Sequence, residues 1–173
     1  MGTGGVVAAA ALAGVVAAGA GGLAAPDDEP WRALGLEVVD RVTQDDSECV
    51  SHSFGQVRDL LTATPCVSLT RLLMTVRDDD GTLIAVSAAW VQFERPEIAA
   101  EWKRVEDIHG TGDISPLSSS LLQLDPIKFT AHHYDSQLLD TTVVIAESEP
   151  VEGQPTPELL KDVAKVAVRT PRP

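Results

Sequence analysis

Four histidines, two cysteines and a single tyrosine are the side chains of this 173-residue chain best equipped for chemistry. His52 stands in Ser51-His52-Ser53, where a serine and a histidine are neighbours in the chain. Adjacent residues rarely face each other as nucleophile and base, so His52 reads better as the residue before a helix cap, packing back on Val57. His109-Gly110-Thr111-Gly112-Asp113 is a glycine-rich turn in which His109 and Asp113 can converge on a ligand. Phosphate-binding loops put their glycines before a helix, at its positive end. Here the glycines follow a helical segment, which favours a helix stop with His109 near the negative end. In His132-His133-Tyr134-Asp135, consecutive residues of a strand would point to opposite faces, so the two histidines could not chelate one ion. Lys128, Thr130, His132 and Tyr134 would share one face, and Ile127, Phe129, Ala131, His133 and Asp135 the other. Lys128, His132, Tyr134, His109 and Asp113 are the candidate ligand-binding residues, weighed against a plain solvated strand and a helix cap.

Cys49 and Cys66 are the only cysteines. Their spacing fits neither a zinc site nor a redox Cys-x-x-Cys, and an even count behind an export signal reads as a disulfide. The alternative is two buried free thiols. Asp78-Asp79-Asp80 lacks the partners of a calcium loop and reads as a solvated turn. No nucleophile elbow, zinc-protease helix, P-loop, dinucleotide fingerprint or EF-hand is present, so no cofactor and no metal is expected.

Thirteen Lys and Arg against 26 Asp and Glu give a net charge of -13. Such a surface repels phosphate backbones and anionic headgroups, which excludes general nucleic-acid binding. Val6 to Ala25 holds only Ala, Gly, Val and Leu. Twenty such residues at about 1.5 Å each would cross the roughly 30 Å core of a bilayer. Residues 1–25 are therefore expected to be a signal peptide or transmembrane anchor, preferred over a flexible Ala/Gly tail. Residues 26–44 read as a linker or juxtamembrane segment, with Leu34, Val38 and Val42 spaced for a short helix. Residues 45–170 then form an extracytoplasmic domain, at the membrane or secreted.

Within that domain, Ser53-Phe54-Gly55-Gln56 has the form of a capping box, with Phe54, Val57, Leu60 and Leu61 at helical spacing behind it. Thr70 to Arg77 alternates, Asp78 to Gly81 turns, and Thr82 to Phe93 resumes as a strand. Pro96 opens a helix through Ile108. Thr111 to Asp125 reads as a loop, and a second hairpin follows, with strands at 127–134 and 141–147 around a turn at 135–140. Thr156 caps a last helix with a stripe of Leu159, Val163 and Val166. The expected fold class is α+β: a four-stranded antiparallel sheet made of two hairpins, in the order α-ββ-α-ββ-α. The helices lie on one face and the other stays open.

Ser53-Phe54-Gly55-Gln56-Val57-Arg58, Thr64-Pro65-Cys66 and Phe129-Thr130-Ala131-His132-His133-Tyr134, with the Ala-rich start, resemble uncharacterised exported or single-pass membrane-anchored proteins of actinobacteria. The resemblance spans about residues 45–168 and implies an envelope location without any activity or site residue. The function expected is a non-enzymatic, disulfide-stabilised envelope domain that binds a small ligand or an envelope protein. Membrane attachment would run through residues 1–25. The alternative is a small exported hydrolase or metal-assisted enzyme using His109, His132 and Asp113. A third reading, a subunit of a larger assembly, requires an apolar patch around Trp90 and Phe93.

Overall fold

A computed structural model describes residues 28–173, so the signal peptide or anchor expected over 1–25 lies outside the described residues. Among the described residues, no helix is long and apolar enough to cross a membrane. The fold is α+β, with a five-stranded antiparallel sheet where four strands were expected. The extra strand, β1 (Leu36–Asp46), comes from the segment read as a linker with a short helix. It pairs along its whole length with β3 (Ser68–Asp78), from Leu36 opposite Asp78 to Asp46 opposite Leu69. Val38 and Val42 match helical spacing at i and i+4. They also match strand spacing, and the β-branched residues Val38, Val39, Val42 and Thr43 favour the extended form.

A short α1 (Glu29–Ala33) precedes β1. After it come β2 (Ser53–Phe54), α2 (Gly55–Ala63), β3 (Ser68–Asp78), β4 (Leu83–Gln92) and α3 (Pro96–Glu106). The chain continues with β5 (Gly112–Ile114), β6 (Tyr134–Leu139), β7 (Thr142–Glu152) and α4 (Pro157–Ala167). The main sheet runs β1-β3-β4-β7-β6, while β2 and β5 form a separate two-stranded ribbon. The hairpin β3–β4 stands where its sequence placed it. The second hairpin is displaced: β6 begins at Tyr134, its turn lies at Asp140, and residues 127–133 form no regular strand. Asp140 takes φ 54, the left-handed geometry of a tight hairpin turn, which Asp tolerates better than most residues.

Both faces of the sheet are covered, which corrects the expectation of helices on one face. Leu72, Met74, Val86, Ala88, Trp90 and Val144 point one way, under Trp31 of α1 and Leu160, Val163 and Ala167 of α4. Leu69, Ala89, Val91, Val143 and Ile145 point the other way, under Val57 and Leu61 of α2 and Ala99 and Trp102 of α3. Alternation along β4 and β7 therefore serves two cores, and Trp90 and Phe93 are each buried to 2% exposure in opposite ones. The apolar patch that an assembly subunit would need at those two residues is absent.

Local signals succeed where a single residue decides them. Thr156 accepts the Leu159 N–H at 3.2 Å as the cap of α4, and Pro96 opens α3. The capping box at Ser53 does not form. Ser53 belongs to β2, its hydroxyl donates to the Val50 carbonyl at 3.0 Å, and Phe54 occupies the cap position.

Cys49 and Cys66 are bonded, with Cα atoms 6.1 Å apart. Cys49 is 1% exposed, and the bond ties the turn after β1 to the segment between α2 and β3. It thereby clips both ends of α2 to the second core. Closing a loop of this length stabilises by about 3 kcal/mol. The Cys49→Ala/Cys66→Ala protein is expected to lose about that much in urea unfolding at pH 7. An unchanged midpoint would show that the bond contributes nothing to the fold.

Candidate functional site

Two glycines set the geometry of the candidate site. Gly55 at the start of α2 and Gly112 in β5 both have positive φ, and each sits against the backbone of the other's segment. A Cβ on Gly55 would strike the Thr111 carbonyl, and one on Gly112 the Phe54 carbonyl. Only glycine permits that approach. It brings the Gln56 N–H to the Thr111 carbonyl at 2.6 Å and pins the chain just before Asp113. Thr111 in turn closes α3. Its hydroxyl lies 2.7 and 2.8 Å from the carbonyls of Val105 and Ile108, which also accept the N–H groups of Ile108 and Thr111.

Behind this turn, three carboxyl groups meet at the polar end of the second core. Glu106 comes from the last turn of α3, Asp113 from β5 and Glu147 from β7. Glu106 and Glu147 are 5% and 7% exposed. Asp113 accepts the Ile114 N–H at 2.6 Å, and Glu147 accepts the Ala131 N–H at 2.5 Å. Ala131 adopts φ 57 to point that N–H inward, a left-handed geometry costing about 1 kcal/mol for a residue with a Cβ. Glu106 Oε2 is buried and receives no hydrogen bond.

Burial sets the proton affinities. It pushes the Glu106 carboxyl up to about 11, with the charge of Asp113 and a hydrogen bond to it adding to the effect. Burial, then the charge of Asp113, lifts Glu147 to about 8. Asp113 is also raised by burial, although hydrogen bonds from its two neighbours and from Ile114 offset part of that. Tyr134 is raised by burial and by the charges of Glu106 and Asp107. Asp107 goes the other way. Burial acts against its charge, but hydrogen bonds from Lys103 at 2.6 Å, Ser136 at 2.5 Å and Tyr134 at 3.1 Å outweigh it and keep the carboxylate charged.

A cavity of about 70 Å³ opens onto this cluster, lined by Glu106, Asp107, His109, Asp113, Ala131 and Tyr134 among others. At its edge the imidazoles of His109 and His132 stack, with centroids 5.2 Å apart and planes inclined by 19°. Of the five residues singled out from sequence, His109, Asp113 and Tyr134 line this cavity and His132 stacks at its rim. Lys128 stands elsewhere, in an open groove of about 530 Å³ between residues 123–128 and Glu149–Glu152. The shared sheet face proposed for Lys128, His132 and Tyr134 does not exist, because residues 127–133 are not a strand. His52 approaches Asp46 at 3.2 Å, away from this cleft.

Glu106 and Glu147 escaped the sequence reading. Each occupies a position where the local period demands an apolar residue. Glu106 follows Ala99 and Trp102 on the buried stripe of α3, and Glu147 follows Val143 and Ile145 on the inner face of β7. Among the described residues, no group of three or more His, Cys, Asp or Glu is arranged to hold a metal ion. Compared with known proteins, the chain matches no family model, no curated protein and no solved structure.

The folded protein keeps protons on Glu106 and Glu147 at pH values where the unfolded chain, with glutamates near about 4.3, has released them. Their stabilising contribution is complete below that value. It is lost as pH rises, through about 8 for Glu147 and about 11 for Glu106. Stability is therefore expected to fall above pH 5 by about 1.4 kcal/mol per pH unit for each retained proton. Glu106→Gln, which keeps the shape without the ionisation, should remove one proton's share of that slope. Urea midpoints from pH 5 to 7.5 check this, and parallel profiles for the two proteins would contradict it.

Proposed function

We propose that this chain is a disulfide-clipped binding domain of the cell envelope, extracytoplasmic or secreted, that takes a small ligand in the cleft between the α3–β5 turn and residues 131–134. The carrying observation is the buried Glu106 carboxyl, with one oxygen lacking any donor, on the wall of a cavity that reaches the surface beside two exposed histidines. A buried polar atom without a partner costs about 1–3 kcal/mol, a cost that a ligand supplying the donor relieves. The disulfide supports the location, since such bonds persist in oxidising compartments.

The convergence of His109, His132 and Asp113 also fits a small hydrolase, the rival reading. Binding is favoured because Asp113 interacts with the two neighbouring acids and the Ile114 N–H, not with an imidazole it could orient. The histidines meet face to face, which is not the edge-on approach of a base to a nucleophile.

Amide NMR maps recorded against neutral, anionic and cationic fragments are expected to show saturable shifts at 106–113 and 131–134. Shifts confined to the 123–128 groove would move the site to Lys128. Turnover of ester or peptide substrates that Asp113→Asn abolishes would replace binding with catalysis.

A further inference from the structure

We infer that the ligand group this cleft accepts is a primary alkylammonium, either a free small amine or the tip of a lysine side chain. The inference rests on the cleft being the binding site and adds the chemistry that would fill it.

The walls supply acceptors in excess of donors. Glu106 Oε2 receives no hydrogen bond, Asp113 lies beside it, and the Tyr134 oxygen, already donating to Asp107, keeps lone pairs free. An ammonium brings three donors and no acceptor, the complement of that set. The carboxylates are not placed to chelate an ion, so the metal alternative lacks its donor geometry. The net charge of -13 concentrates cations around the domain.

Asp107 on the same wall is charged already, whereas the buried Glu106 carboxyl pairs with the cation as a carboxylate only by releasing its proton to solvent as the ammonium arrives. Glu106 is faced by Asp107, the residue that caps α3, by Asp113 of β5, Tyr134 of β6 and Glu147 of β7. Glu147 is faced in addition by Glu149 and, across a small gap, by Arg71 of β3. Arg71 is held by Asp46 at 2.9 Å and by the Ser115 carbonyl at 3.0 Å, so it remains outside the exchange. Displacement of the Glu106 proton makes the affinity rise about tenfold per pH unit between pH 6 and 8, where both the amine and the ligand-free Glu106 keep their protons.

The test is NMR titration of the whole chain with methylammonium chloride at pH 6, 7 and 8. Tetramethylammonium chloride at equal ionic strength controls for general attraction. The expected result is saturable shifts at 106–113 and 131–134 with methylammonium alone, tightening about tenfold per pH unit. Calorimetry in two buffers of different ionisation enthalpy should count one released proton. Glu106→Gln should weaken binding about tenfold and abolish its pH slope. If that variant does not fold, Tyr134→Phe, which leaves the carboxyls in place, should weaken binding and keep the slope. Nα-acetyl-lysine-methylamide separates the two sources: binding like methylammonium assigns a lysine side chain, and exclusion assigns a free amine. Equal behaviour of the two ammonium salts, or a flat pH profile, overturns the inference. Should neutral or anionic fragments shift the cleft while methylammonium does not, the cleft remains the site and only the ammonium assignment falls. Should no fragment shift it, both fall.

Discussion

Three carboxyl groups share a space that water does not adequately reach, and most of what is distinctive in this domain follows from that constraint. Ionising all three at once in a low-dielectric interior would be prohibitive. The fold therefore holds protons on Glu106 and Glu147 and surrounds Asp113 with donors. The arrangement draws one residue from each of three elements, and a fourth segment contributes the Ala131 N–H. A change in protonation is thus felt by α3, β5, β7 and the 131–134 segment together.

The scaffold around the cluster explains how such a costly site is tolerated. The sheet carries a core on each face, and the apolar burial in both offsets the cost of the acidic end of one of them. The disulfide fixes α2 at both ends, and α2 meets β5 through the Gly55–Gly112 approach. Asp113 is positioned from that side by backbone contact alone, with no side chain free to relax. The two exposed histidines and the small cavity lie where this rigid ribbon faces the less regular segment before β6.

Much of the scaffold was legible in the residues, since it is written in local terms. The β3–β4 hairpin, the Pro96 and Thr156 helix starts and the paired cysteines depend on turn chemistry, proline and spacing. The first strand was read as a helix because Val38 and Val42 satisfy both periods, and only pairing with β3 decides between them. The start of β6 was misplaced because residues 127–133 alternate without a partner to pair with. That error assigned Lys128, His132 and Tyr134 to one imagined face. Of the five candidates from sequence, His109, Asp113 and Tyr134 line the cleft and His132 stacks at its rim, but for reasons of packing that spacing did not contain. Glu106 and Glu147 were missed although they left a signal. A glutamate on an apolar stripe, or at an inward position of a buried strand, is a local rule broken, and such breaks concentrate at functional sites.

The most direct test of the account is a carbon-detected NMR titration of the side-chain carboxyls of residues 106, 113 and 147 in the folded protein. The account predicts that Glu106 and Glu147 still carry their protons at pH 7, with Glu147 releasing its own near pH 8. Titration of all three below about pH 5, like ordinary surface carboxylates, would contradict it.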